Sequence, residues 1–253
     1  MRTFNWSGYE WITQERYGPI NPGKPYAWYD ESATSVDPRT GYLRLRTQYN
    51  PKFFPQYSAT PKVGMGLVSC TSRFRFGTFE VEARLPRGKH LWPAFWMWSW
   101  DSYPPELDVF EGYTDNREGY YDEKTSFIPG TTDIAQSQIT PTLTKTDNWN
   151  ILWNTHWRDQ FGNQTNIGGV RGLLSYKDPT KHFIKYKAIW KPTEILIYYD
   201  KLLVGTFTDP VALNDFAQYD MNVIINNHPQ PTMDFDNPTI SSMVVKYFKH
   251  TPL

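Results

Sequence analysis

Three carboxylates stand close together in residues 106–111, with Leu, Val and Phe between them. Apolar residues of these types favour a half-buried β-strand. Side chains alternate between the two faces of a strand, so Glu106 and Asp108 share one face and Glu111 points to the other. One inserted residue, a β-bulge between Asp108 and Glu111, brings all three carboxylates to the same side. The run therefore predicts a bulged acidic strand.

The separation of the two glutamates indicates the chemistry of such a strand. Five residue steps, less one for the bulge, separate their backbones by roughly 13 Å at about 3.3 Å per step. Side chains leaning inward bring the carboxyls of Glu106 and Glu111 to roughly 5–6 Å, close to the separation of about 5–5.5 Å in a retaining glycosidase. The alternative is a solvated acidic face on an ordinary strand. Aromatic residues on both sides of the run weigh against that alternative.

An aromatic run, residues 91–100, comes just before the acidic strand. On a strand, Trp96, Trp98 and Trp100 share the face opposite to the core. Indoles on one face can form a platform for a sugar chain, and we predict this role for Trp96 and Trp98. The alternative is a second hydrophobic layer under a loop.

Two further residues are candidates for the same cleft. Trp28 lies in an aromatic stretch and could line the cleft, although a packing role explains it equally well. His156 lies in a predicted strand, where it could contact the substrate or the acid. A hydrogen-bonded histidine within a sheet is the equally weighted alternative.

Short strand patterns separated by turn-rich loops run through the chain, and they predict a β-sandwich. The clearest is 78–85, with apolar residues on one face and charged residues on the other. No stretch shows a helical period over a useful length, so no helix is predicted. The loops are predicted at 1–40, 113–146 and 158–181. Further strands are predicted at 42–46, 149–157, 183–190, 194–199, 202–204, 221–228 and 242–248.

Length and composition limit the classes of function. The 253 residues fit one large all-β domain, and the net charge of zero gives no indication of nucleic acid or an anionic membrane as partner. Aromatic residues make up 17% of the chain.

Cys70 is the single cysteine, which excludes an intrachain disulfide. No transmembrane helix is predicted. Residues 1–6 lack a signal-peptide core, so either secretion does not use that route or a signal has been removed.

Residues 76–86, 91–96 and 106–111 together resemble glycoside hydrolase family 16, in the order and at the spacing of that family. The acidic motif has the bulged form typical of laminarinases, agarases and carrageenases. The resemblance implies a jelly-roll sandwich of two curved antiparallel sheets, with the substrate in a cleft on the concave face. It also implies one catalytic domain over residues 1–253, working as a monomer without a cofactor, in an extracellular or periplasmic location.

The resemblance assigns roles to the three carboxylates. Glu106 matches the nucleophile, Glu111 the general acid/base, and Asp108 the residue between them. Carboxyls this close cannot all ionise cheaply, so at least one pKa is expected to rise. We expect Glu111 to be protonated while Glu106 stays charged.

Two departures from the family pattern matter. Many members carry an aspartate in the closing strand that helps to bind a structural calcium, and here the matching position is Lys246. We therefore predict no metal at that position. The segment 226–230 does not match the glycine-rich segment usual in laminarinases. Because that segment lies near the cleft in the family, Asn226 is a candidate substrate-binding residue and the choice of substrate stays open.

The first hypothesis is an endo-acting retaining hydrolase of a polysaccharide, most simply a β-1,3-glucan. A red-algal galactan, such as agar, porphyran or carrageenan, is the alternative substrate. A sulfated chain requires cations near its binding sites, and Arg73, Arg75, Arg117 and Arg171 are candidates. A non-catalytic carbohydrate-binding protein on the same fold and a transglycosylase are the other hypotheses.

Overall fold

The computed structural model describes residues 1–88, 90–112, 150–172 and 177–253. In this part of the chain the strands are β1 (Thr3–Trp6), β2 (Tyr9–Ile12), β3 (Ala27–Tyr29), β4 (Thr34–Val36), β5 (Leu43–Tyr49), β6 (Val63–Met65), β7 (Leu67–Phe74), β8 (Gly77–Arg84), β9 (Leu91–Trp98), β10 (Glu106–Gly112), β11 (Asn150–Arg158), β12 (Gln164–Gly172), β13 (Ile184–Trp190), β14 (Ile195–Tyr199), β15 (Leu202–Phe207), β16 (Met221–Pro229) and β17 (Ser242–Thr251).

These strands form two sheets in the described residues. One sheet has eight strands in the order β1-β2-β7-β16-β9-β10-β11-β12. The other follows the order β15-β14-β13-β8-β17-β5-β6-β3, with β4 paired to β5. The β3 and β6 pair is parallel, and the remaining described pairs are antiparallel. The fold is therefore the all-β sandwich predicted from the sequence.

The core lies between the sheets, and strand alternation explains which residues enter it. Phe79 and Val81 of β8 face it from one sheet, and Phe95 and Met97 of β9 face it from the other. All four side chains are fully buried. Period-two alternation therefore leaves the even-numbered residues of β9 on the opposite face, where the cleft lies.

Three parts of the sequence-based description need correction. The predicted loop 1–40 contains β1 to β4, which are only three or four residues long and carry little alternation. The predicted loop 158–181 contains β12, whose polar and glycine-rich sequence lacks the apolar residues typical of a strand. The predicted loop 113–146 lies outside the described residues.

A helix that the sequence did not predict, α1 (Pro210–Ala217), follows β15. The carboxylate of Asp209 accepts hydrogen bonds from the backbone amides of Val211 and Ala212, and proline occupies the first turn. These are ordinary start signals, but eight residues give too few turns for a helical period to stand out. None of the described helices is long and apolar enough to cross a membrane.

The position expected to lack a metal carries an ion pair. Lys246 Nζ lies 2.5 Å from Glu82 Oε1, and it also lies 4.4 Å from the centroid of the Phe183 ring. A cation already neutralises the carboxylate there. The absence of a structural metal at this position stays a prediction.

Candidate active site

The acidic strand β10 contains the predicted bulge. In its pairing with β11, Asp108 lies opposite Asn154 and Glu111 lies opposite Leu152, so β10 has one more residue than its partner between these pairs. The extra residue reverses the parity of Glu111. Glu106, Asp108 and Glu111 consequently all line one cavity on the outer face of the eight-stranded sheet.

The cavity has a volume of about 430 Å³, which is in the range of ligand-binding clefts. Its floor comes from β9, β10 and β16, and one wall comes from residues 15–24. The described residues that line it are Glu15, Tyr17, Asn21, Pro22, Gly23, Lys24, Leu67, Trp92, Ala94, Trp96, Trp98, Tyr103, Glu106, Asp108, Glu111, Asn226 and His228.

Burial raises the pKa of all three carboxyls. The charge of Glu111 raises the pKa of Glu106 further, and the charges of both glutamates do the same for Asp108. The side chain of Asp108 is 3% exposed and that of Glu106 is 17% exposed. The pKa of Glu106 rises to about 8, so Glu106 itself holds a proton much of the time at pH 7. Of the two, the less exposed Asp108 holds a shared proton better, and the more exposed Glu106 ionises first.

His156 lies beside this group, as one of its two interpretations predicted. Its Nε2 is 3.9 Å from Glu106 Oε1 and 3.7 Å from Asp108 Oδ2. Burial lowers the pKa of His156 to about 4, so the ring is neutral at pH 7. The amide of Asn154 lies 3.1 Å from Nε2, and its oxygen accepts a hydrogen bond from the Thr155 backbone amide. The Asn154 amide group therefore donates to Nε2, which places the ring proton on Nδ1.

Trp92 and Lys24 were not among the predicted site residues. Trp92 Nε1 donates a 3.0 Å hydrogen bond to Glu111 Oε2, and Lys24 Nζ lies 5.2 Å from the centroid of the Trp92 ring. Against the larger effect of burial, the charge of Lys24 and this hydrogen bond both lower the pKa of Glu111. Trp92 could have been found by parity, because it shares a strand face with Trp96. Lys24 is distant in sequence and gave no such signal.

Trp96 and Asn226 lie where they were predicted. Both line the cavity, and Trp96 Nε1 donates a 2.7 Å hydrogen bond to Asn226 Oδ1. The asparagine is provided by β16, which pairs with β9 beside it. The bond fixes the indole plane at the cavity floor.

Trp98 presents little surface to the cavity, and its contact with a sugar stays a prediction. Trp98 belongs to the cavity lining, but it is only 2% exposed because the Tyr17 ring covers it at a centroid distance of 5.6 Å. Trp100 packs against the same buried cluster and lies outside the described lining.

Trp28 lies away from the described cavity lining, in the second of its two predicted roles. Its ring packs with Ile20 and Phe54 in a separate apolar cluster, and its Nε1 donates to the Asn50 carbonyl at 2.8 Å. Among the described residues, the cavity lining does not include it. The packing interpretation of Trp28 therefore holds.

One group of side chains has the spacing of metal ligands. Ligand atoms of Glu106, Asp108 and His156 all lie within 4.8 Å of one another. A cation held there would bind Glu106, the more exposed of the two carboxylates in this group. The expectation of a site without metal or cofactor stays a prediction.

Comparison with known proteins agrees with this geometry. The chain is 23% identical over 229 residues to the endo-1,3-1,4-beta-glycanase EglC of Rhizobium meliloti, an alignment that covers 89% of this chain and 39% of the relative. It is 26% identical over 150 residues to a beta-1,3-glucan-binding protein of Penaeus monodon, covering 57% of this chain and 34% of the relative. The chain thus spans about two fifths or less of the length of these two relatives.

Solved structures share the fold. The laminarinase catalytic domain of Thermotoga maritima superposes with a TM-score of 0.62 at 16% identity, covering 90% of this chain and 83% of that one. The model of the glycosyl hydrolases family 16 matches residues 28–159, just over half of the chain and including the whole of β10. The chain therefore belongs to glycosyl hydrolases family 16.

Proposed function

We propose that the protein is a retaining endo-hydrolase of a β-glucan, with β-1,3-linkages as its first target. The observation that carries the proposal is the bulge in β10, which aims Glu106 and Glu111 into one cavity with Asp108 between them. An ordinary acidic strand needs no bulge between its carboxylates.

The family resemblance assigns the roles, and the exposure of Glu106 agrees with its role. Glu106, which is more accessible than Asp108, attacks the anomeric carbon in its ionised form and forms a glycosyl-enzyme ester. Glu111 gives its proton to the departing glycosidic oxygen, then removes a proton from the water that hydrolyses the ester. Asp108 holds a proton against Glu106 and stabilises the charged nucleophile. The two displacements at one carbon retain the anomeric configuration.

A neutral glucan suits the cavity better than a sulfated galactan. Among the described residues that line it, Lys24 is the single lysine or arginine, and it faces the carboxylates. Of the four candidate cations, Arg73 and Arg75 instead pair with Asp101 and Asp220. The side chains of Arg117 and Arg171 lie outside the described part of the chain. One of the two relatives is named an endo-1,3-1,4-beta-glycanase and the other a beta-1,3-glucan-binding protein.

A reducing-end assay over laminarin, mixed-linkage glucan, agarose, porphyran and carrageenan tests the substrate, and we expect laminarin to give the highest rate. Proton NMR of the first product should show the β-anomer.

Glu106→Gln should lower kcat by about 10⁴-fold or more while gluco-oligosaccharides still bind. The matched control is Glu194→Gln, in the turn before β14 and far from the carboxylates in sequence, which should leave kcat unchanged. Near-normal turnover by Glu106→Gln would refute the assignment.

The second candidate function is glucan binding without hydrolysis, which the name of the Penaeus monodon relative favours. It predicts laminarin binding by the wild-type protein with no release of reducing ends. Binding alone does not require three carboxylates that face one cavity, so we place this function second.

We also propose that residues 1–253 form one catalytic domain. Strand β1 near the first residue and β17 near the last are each hydrogen-bonded into one of the two sheets. An extracellular or periplasmic location suits a substrate that is a long polymer. Size-exclusion chromatography with light scattering tests the expected monomer.

A further inference from the structure

Residues 15–24 form one wall of the cavity and lie before the region that the family model matches, which begins at residue 28. The segment provides both polar and aromatic groups to the cavity, and its one aromatic member in the lining is Tyr17.

Tyr17 is placed so that part of its ring is left exposed in the cavity. It is 39% exposed, whereas Trp98 beneath it is 2% exposed, and the two rings are inclined at 32°. The Arg16 guanidinium carbon lies 5.4 Å from the Tyr17 centroid and 5.6 Å from the Trp98 centroid. Arg16 also donates a hydrogen bond to the Trp100 carbonyl. The ring is thus held by contacts with β9 and with the residues that follow it.

A second exposed aromatic ring contacts the same indole. Tyr103 is 43% exposed, lines the cavity, and lies 6.1 Å from Trp98 between centroids. Arg158 holds the backbone beside it, with 2.8 Å hydrogen bonds to the carbonyls of Tyr103 and Pro104. Tyr103 is therefore anchored through its main chain and by a 3.4 Å hydrogen bond from Gln164 Nε2 to its hydroxyl, and part of its ring stays exposed.

Exposed apolar surface inside a concave site marks ligand binding more often than exposed apolar surface elsewhere. Trp98 pairs with Glu106 in the register of β9 and β10, so the indole that both tyrosines contact lies beside Glu106. The ring carbons of a β-glucosyl residue carry axial hydrogens on both faces, and such faces stack on aromatic rings. A neutral hexose is the ligand chemistry that fits two tyrosines beside a carboxylate.

We propose that Tyr17 and Tyr103 form a binding subsite for one glucosyl residue, adjacent to the residue whose linkage Glu106 attacks. The subsite rests on the proposed function for the identity of the sugar. Trp98 acts as the buried support under both rings. In this proposal Tyr17 and Tyr103 contact the sugar, and Trp98 lies beneath them.

The test is calorimetric titration of laminarihexaose into Glu106→Gln protein, with and without a second substitution. Tyr17→Ala should raise Kd about tenfold, the order expected for one lost aromatic contact. Tyr17→Phe should stay within about twofold, because it keeps the ring. In the otherwise wild-type enzyme, Tyr17→Ala should raise KM by a similar factor and change kcat by less than about twofold. Tyr103→Ala should behave in the same way.

The matched control is Tyr49→Ala, because Tyr49 is 50% exposed on β5 and outside the described lining of the cavity. It should leave Kd and KM unchanged. Normal hydrolysis with unchanged Kd in Tyr17→Ala would overturn the subsite and leave the proposed function standing. Tyr17-dependent binding without any hydrolysis would support the subsite and refute the proposed function. If Tyr17→Ala fails to fold, Tyr17→Leu and Tyr103→Ala provide the same comparison.

Discussion

Replacing Asp108 with asparagine tests whether this buried carboxyl keeps its proton in the folded protein. Its side chain is 3% exposed, and its Oδ2 has no hydrogen-bond partner within the described residues. Burial, then the charges of Glu106 and Glu111, raise its pKa well above the ordinary value. In the unfolded chain the same carboxyl loses its proton near pH 3.9.

The free energy involved can be worked out from this difference. If Asp108 keeps its proton at pH 7, the cost to the folded state is about 1.4 kcal/mol for each of roughly three pH units, or about 4 kcal/mol in all. Asparagine avoids that cost but buries an amide, which costs about 1–2 kcal/mol. We therefore expect Asp108→Asn to raise the free energy of unfolding by about 2–3 kcal/mol at pH 7, and Tm by about 2–4 °C per kcal/mol.

The direction in which the free energy of unfolding changes with pH shows whether Asp108 is protonated in the folded protein. A carboxyl whose pKa is raised on folding favours the folded state fully below its unfolded pKa, and this contribution is lost as the pH rises. The stability difference between Asp108→Asn and wild type should thus grow by about 1.4 kcal/mol per pH unit above pH 4.

Urea denaturation at pH 4, 5, 6 and 7 measures this difference. Asp101→Asn is the control, because Asp101 is exposed and pairs with Arg73, and it should show no such growth. A stability difference for Asp108→Asn that is flat or reversed with pH would mean that Asp108 is ionised in the fold. The reasoning about the shared proton would then fail.

Three further substitutions test other parts of the structure. Trp92→Phe removes a hydrogen bond that lowers the pKa of Glu111, so the alkaline limb of the kcat/KM pH profile should move to higher pH. An unmoved limb would contradict this. His156→Gln should leave the profile between pH 5 and 8 unchanged in shape, because burial lowers the His156 pKa to about 4; loss of a titration near pH 6 would be the contrary result. Gly205→Ala places a Cβ 2.5 Å from the Trp153 ring. It should cost about 1–3 kcal/mol of stability, and scanning fluorimetry should show a lower Tm.

Local alternation explains why much of the fold and the central part of the site could be predicted. The period of two in β8 and β9 specifies which residues face the core, and the same rule exposes the wrong parity of Glu111. A bulge is the smallest change that repairs this parity. These properties depend on neighbours along one strand, so they can be predicted from the order of residues.

The rest of the site depends on contacts between distant parts of the chain. Whether Trp98 is open or covered depends on Tyr17, which is 81 positions away in sequence, and nothing near Trp98 signals it. Trp28 has the same residue type as Trp96 but packs with Phe54 in a separate cluster. Residue type and alternation specified which face each side chain takes. Burial and ionisation were decided by tertiary packing, because both depend on which distant groups exclude water from that face.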